Sequence, residues 1–266
     1  KKPAFFQGHR KGSMGPIQES AAPRVHREAE RLLADIGRPE PAAFVPDPFQ
    51  KEAVQKVRKG DVLVSAPTGY GKTGIALETT KEFRSRGCRI WYATPLKALS
   101  NAKYEEFGEA LGRDQLGILT GDRKENADAP VIVGTTEILR NQLYDAMQTG
   151  TDIDVDLVIL DEAHYLGDID RGVVWEEVLI YLPGRVRLLL LSATISNATA
   201  VARWLTHIRS KSCSVVYSGT RPVPLHVLFR TPSGELTPFL RGKSLFPKVA
   251  AFAKTERGRK RVPESR

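Results

Sequence analysis

A chain of 266 residues with 41% hydrophobic content can bury one full core, and a single large α/β domain with tails is the simplest organisation. Its 40 Lys and Arg against 31 Asp and Glu leave a formal net charge of +9, which either attracts a polyanion such as nucleic acid or keeps basic tails solvated. The longest apolar run, RLLLLSATI, is too short to cross a bilayer, the N-terminus lacks a signal-peptide stretch, and Cys88 and Cys213 fit neither a zinc site nor a disulfide framework, so a soluble, cytoplasmic protein without a membrane partner is expected.

Residues 1–22 are rich in Gly, Pro and Lys without a hydrophobic period and read as a disordered tail, in which Gly-Ser-Met at 12–14 resembles a cloning scar. The stretch 23–40 holds one short helix, with Val25, Ala29, Leu32, Leu33 and Ile36 near helical spacing ahead of Gly37. From Phe49 onward, apolar runs at 62–66, 90–94, 116–120, 131–135, 157–160, 187–193 and 213–217 alternate with helical stretches at 72–86, 96–111, 136–147, 173–182 and 197–208. Apolar runs without polar alternation, separated by helices, are what a parallel sheet covered on both faces requires. Residues 41–220 are therefore expected to form an α/β domain with a doubly wound, mainly parallel sheet. Residues 221–266, with one more strand framed by prolines and a basic ending, are expected to be a linker and tail.

Two stretches carry chemistry. VLVSAPTGYGKTGIALETT reads as strand, loop and helix, and its loop APTGYGKT (66–73) departs from the strict phosphate-binding pattern only in having Ala66 where the first Gly is expected. Within Thr68, Gly69, Tyr70 and Gly71 the glycines let backbone amides face a phosphate at a helix N-terminus, with the Tyr70 side chain turned away. Lys72 would reach the outer phosphates of ATP and Thr73 would ligate Mg²⁺. The second stretch begins where LVIL runs into Asp161 and Glu162, at the strand end where open α/β sheets bind ligands. Asp161 is suited to hold Mg²⁺ and Glu162 to orient and deprotonate an attacking water, while the acids from Asp168 to Glu177 read as a solvated turn and helix start. Trp175, among Val174, Val178, Leu179 and Leu182, reads as a packing residue rather than a base-stacking one.

APTGYGKT, TPLKALSNAKYEEF, TGD, TTEILRN, DEAHYLGD and SAT follow one another in an order and spacing that resembles the first RecA-like domain of superfamily 2 helicases. DEAHYLGDIDRGVVWEEVLIYLP, with PDPFQKEAV, is most similar to the superkiller-type, or Ski-like, branch of DExH RNA helicases. The resemblance implies ATP-dependent translocation on and unwinding of nucleic acid, with Gln50 reading the adenine edge and Phe44 stacking on the ring. It implies that His164 links the ATP site to Ser192 and Thr194, which couple hydrolysis to strand movement. It further implies nucleic-acid contacts at Pro95, Lys97, Ser100, Asn101, Gly121, Asp122, Thr135, Thr136, Arg140 and Asn141, through amides, hydroxyls and a few cations that grip phosphates without reading bases.

Helicases of this kind place ATP between two such lobes. The residues after Thr194 are too few for a second lobe of ordinary size, so a fragment that binds ATP but is nearly inactive without its partner lobe is expected. A DNA-directed helicase and a nucleotide-binding scaffold without unwinding activity are the competing readings.

Overall fold

The computed structural model describes residues 24–34, 45–219 and 226–259. The chain divides into two compact units, one spanning 42–222 and the other joining 1–41 to 223–266. The first helix, α1 (Arg27–Ala34), belongs to the second of these.

In the 42–222 unit the chain runs α2 (Pro48–Val57), β1 (Asp61–Ser65), α3 (Lys72–Ser85), β2 (Ile90–Thr94), α4 (Lys97–Leu111), β3 (Leu116–Leu119), β4 (Lys124–Glu125) and β5 (Val131–Thr135). It continues through α5 (Thr136–Thr149), β6 (Leu157–Leu160), α6 (Gly172–Tyr181), β7 (Arg187–Ser192), α7 (Ala198–Arg209) and β8 (Cys213–Tyr217). These strands form one 8-stranded sheet in the order β4-β3-β5-β2-β6-β7-β1-β8. Every pairing is parallel except that of β3 with the short edge strand β4. The α/β expectation for this region is thus met, and β4, two exposed residues long, is the strand that apolar patterning does not reveal.

Both faces of the sheet are buried, and the pleat divides its residues between two cores. Val62, Val64, Tyr92, Ile159 and Leu189 pack against Ala53, Ile75, Phe83 and Phe107 of α2, α3 and α4. Leu63, Trp91, Leu160 and Leu190 pack on the other face against Leu139, Leu143, Trp175, Val178 and Leu205 of α5, α6 and α7. Trp175, 1% exposed, is a core residue, as its neighbours predict. The parallel register brings Ser65 beside Ser192 and Thr94 beside Thr135, so the C-terminal ends of the strands form one edge of the sheet. No helix among the described residues is long and apolar enough to cross a membrane.

In the other unit, the region expected to be linker and tail holds strands and a helix within the described residues 226–259. Strands β9 (Leu228–Arg230) and β10 (Leu236–Pro238) form an antiparallel pair, and β11 (Leu240–Arg241) pairs with β12 (Ser244–Leu245) ahead of α8 (Pro247–Arg259). Val25 bridges to Leu236, and α1 follows directly. Phe246 and Val249 are buried, with the His26 ring edge-on to Phe246 and Phe229 against Phe252. This core is assembled from strands of two or three residues, too short to show a period of two in the sequence. The expected tail at 1–22 and Phe44 lie outside the described residues, as does Ile36 of the expected N-terminal helix.

Candidate functional site

The loop between β1 and α3 owes its path to two left-handed glycines, Gly69 (φ 83°) and Gly71 (φ 69°). The left-handed dihedral at Gly71 favours glycine, and a Cβ there, 2.4 Å from Gln50 Nε2, would displace the end of that side chain. Gln50 braces this turn: its Nε2 donates to the Gly71 carbonyl at 3.0 Å, and its Oε1 accepts from the Asp47 amide at 2.8 Å, tying the start of α2 to the loop. It lines a cavity of about 200 Å³ with Pro46, Val54, Gly74, Ile75 and Glu78. The Tyr70 ring turns into the core against Phe49, which clears the exposed side of the loop at Thr68 and Gly69.

Lys72 is 9% exposed, and its Nζ donates to the carbonyls of Ala66 at 3.0 Å and Pro67 at 3.1 Å. Burial lowers its pKa below the usual lysine value, while the nearby charges of Glu162 and Asp161 act in the opposite sense. Those carboxylates follow β6, whose register hands the Asp161 amide to the Ala93 carbonyl at 2.9 Å. Asp161 Oδ2 accepts the Tyr92 hydroxyl at 2.5 Å and Oδ1 accepts the Glu162 amide at 3.0 Å. Burial and the facing Asp161 hold the Tyr92 phenol well above its ordinary pKa, so it remains a donor. Glu162 adopts a left-handed backbone (φ 57°, ψ 43°), an uncommon state for a residue with a Cβ, and His164 Nδ1 lies 3.3 Å from its Oε2.

The end of β7 joins this group. The Ala66 amide donates to the Ser192 carbonyl at 3.2 Å, and the Ile195 amide donates to Ser65 Oγ at 3.2 Å. Ser192 Oγ is buried without a hydrogen-bond partner among the described residues. Thr194 and His164 share the lining of a cavity of about 410 Å³ with Ala163, Leu190, Ser196 and Asn197.

The residues expected to grip nucleic acid lie at the ends of β2, β3 and β5, three adjacent strands, and on the first turns of the helices α4 and α5 that follow β2 and β5, while the glycine loop, Asp161 and Ser192 lie at the ends of β1, β6 and β7. They divide by exposure. Lys97 and Asp122 are exposed and paired at 3.2 Å, joining the loops after β2 and β3 beside exposed Gly121, and exposed Asn101 accepts from Arg123 at 2.8 Å. Ser100, Thr135 and Thr136 are buried instead: Ser100 Oγ shares a hydrogen bond with Thr94 Oγ1 at 2.8 Å, and Thr136 Oγ1 donates to the Thr94 carbonyl at 3.2 Å. The Ser100 and Thr136 hydroxyls thus tie the starts of α4 and α5 to the end of β2. Arg140, half-buried, donates to Asn141 Oδ1 at 2.9 Å and faces Glu177 at 3.5 Å.

Three residues of the site escaped the sequence reading. Tyr92 holds Asp161, Arg171 donates to the carbonyl of buried Pro95 at 2.6 Å, and Lys103 donates to Thr73 Oγ1 at 2.6 Å. A tyrosine in the wholly buried strand IWYAT was the available signal, since a buried phenol requires a partner.

The profile of the DEAD/DEAH box helicase family matches residues 47–201. The chain is 47% identical over 204 residues to the DExH-box ATP-dependent RNA helicase DExH15, chloroplastic, of Arabidopsis thaliana, covering 75% of this chain and 17% of that protein. It is 41% identical over 260 residues to Superkiller complex protein 2 of Homo sapiens, covering 93% of this chain and 20% of that protein. The chain thus spans a fifth or less of the length of these relatives. Among solved structures, the DUF1998 helicase MrfA bound to DNA shares the fold with a TM-score of 0.52 at 17% identity, over 64% of this chain and 27% of that one.

Proposed function

The chain belongs to the DEAD/DEAH box helicase family, and we propose that it is the ATP-binding lobe of a superkiller-type helicase that hydrolyses ATP to move along and unwind RNA. The observation that carries this reading is the convergence of Lys72, at the start of α3, with Asp161 and Glu162, at the end of β6, beside a loop turned by left-handed glycines. The donor set suits Mg²⁺. Thr73 and Asp161 supply one hydroxyl and one carboxylate, as fits a hard cation that keeps waters and substrate phosphates, and no cluster of three His, Cys, Asp or Glu forms a protein cage among the described residues.

Bound there, Mg²⁺ would offset charge on the outer phosphates. The amides of 69–73 and the N-terminus of α3 cradle the phosphates, and Lys72 turns from the Ala66 and Pro67 carbonyls to reach them. Glu162 orients the attacking water and takes its proton, with His164 steadying its carboxylate. Gln50, on the cavity beside Gly74, reads adenine, Phe44 stacks on the ring, and Thr194, sharing a cavity with His164, passes the state of the site along with Ser192 to the rest of the molecule. Exposed Lys97, Asn101, Gly121 and Asn141, with the helix N-termini after Pro95 and Thr135, grip RNA phosphates, and a second RecA-like lobe of the same protein closes over ATP.

Titration with Mg·ATP tests the nucleotide half: Lys72→Ala is expected to weaken binding by about tenfold or more, the worth of a charge-assisted contact. The activity half requires the full-length protein, whose ATP turnover is expected to rise with single-stranded RNA more than with single-stranded DNA. Greater stimulation by DNA would support a DNA-directed helicase; no stimulation, with Lys72→Ala harmless to the protein's role in cells, would support a scaffold.

A further inference from the structure

Lys103 lies on α4, and its side chain is only 17% exposed. A strongly hydrated ammonium withdraws from water only where partners replace the hydration. Here they are two: Thr73 Oγ1, across on α3, at 2.6 Å, and Glu106 Oε2, on its own helix, at 2.7 Å. Thr73 is the hydroxyl assigned above to the metal ion, so a cation of the chain itself stands on that ligand. Lys72 sits on the Ala66 and Pro67 carbonyls of the preceding loop, so ammonium groups from two helices flank the start of α3.

Resting on the nucleotide reading above, we infer that Lys103 is an exchangeable counter-cation of the phosphate site: it supports the phosphates in the absence of metal and yields the Thr73 hydroxyl to Mg²⁺. A divalent ion and an ammonium on one hydroxyl oxygen repel strongly at such a separation. Glu106 provides the alternative seat, since it already accepts from the same Nζ and lies one helical turn away. The exchange breaks one hydrogen bond, Lys103 to Thr73, and keeps the other.

The test is ADP titration by calorimetry, in excess Mg²⁺ and in EDTA, for the unaltered chain and for Lys103→Gln. Loss of the ammonium is expected to weaken metal-free ADP binding by about tenfold, the size of one charge-assisted hydrogen bond, while Mg·ADP binding holds or tightens. The ratio of the two dissociation constants therefore rises, and Lys103→Arg, which keeps the charge, restores part of it. Equal weakening in both buffers would show a mere brace between α3 and α4 and overturn the inference, as would an unchanged ratio of any other origin. Lys103→Met, which keeps the apolar stem, is read in the same way if the Gln variant unfolds. Failure of the unaltered chain to bind ADP in either buffer would instead remove the nucleotide reading, and this inference with it.

Discussion

Gly69 and Gly71 both turn left-handed, yet the structure asks different things of them. A Cβ at residue 69 meets nothing within 4 Å, whereas one at residue 71 would press on Gln50, which is 5% exposed and bonded on both sides. Gly69→Ala is therefore expected to cost about 1 kcal/mol, the backbone term alone. Gly71→Ala should cost about 2 to 3 kcal/mol and lower nucleotide affinity as well, because displacing Gln50 releases the start of α2 from the loop. Urea unfolding of the two variants checks the order, and equal losses would contradict the brace assigned to Gln50. Lys72 shows the opposite economy of stability and function: its desolvated charge favours the neutral form in the folded chain, an effect that weakens the fold below the usual lysine pKa and eases as pH rises toward it.

At the scale of elements, the far end of the sheet is fastened by one buried ion pair. Asp61 opens β1 and Arg209 closes α7; both side chains are 1% exposed and their atoms meet at 2.7 Å. Asp61 Oδ1 also accepts the Leu188 amide at 3.0 Å, and Arg209 donates to the carbonyls of Leu182 and Val186 at 2.9 and 2.7 Å. One arginine thus joins α7, the end of α6, the start of β7 and β1. Arg209→Ala would strand the Asp61 carboxylate in the core and is expected to destabilise the fold by about 3 to 5 kcal/mol. A denaturation midpoint close to that of the unaltered chain would refute this account. The patterning of α7 predicted its helix but not this anchor, since an arginine at a helix C-terminus is ordinarily explained by the helix dipole and solvent.

For the whole molecule, the net charge of +9 and the exposed residues after β2 and β3 bear on the proposal that RNA is held at this edge. If a few phosphates are gripped without base readout, affinity for single-stranded RNA should fall by about tenfold or more from 50 to 200 mM salt and vary little with sequence. An affinity indifferent to salt would count against a phosphate-gripping surface. The strand order explains why two sets of loops coexist on one edge. Neighbours β6, β7 and β1 lead into the glycine loop, the carboxylates and Ser192, while β3, β5 and β2 lead into the residues proposed for nucleic acid, and Arg171 reaches from one set to the Pro95 carbonyl of the other.

Local patterns made much of this protein legible. Apolar runs of four to six residues, the glycines of the phosphate loop and carboxylates at a strand end are properties of neighbours along the chain, and they sufficed for the α/β sheet of the 42–222 unit and for the order of its motifs. They did not suffice for the small core around Phe246, built from strands too short for a period, or for the inward turn of Ser100 and Thr136, whose types equally suit exposed helix caps. Nor did they reveal Tyr92 on Asp161, 69 residues apart, Lys103 on Thr73, or Arg171 on Pro95. Those contacts follow from which strands the chain sets side by side, and that order is decided by the packing of the helices over both faces of the sheet, a sum over residues distant in sequence that no local window contains.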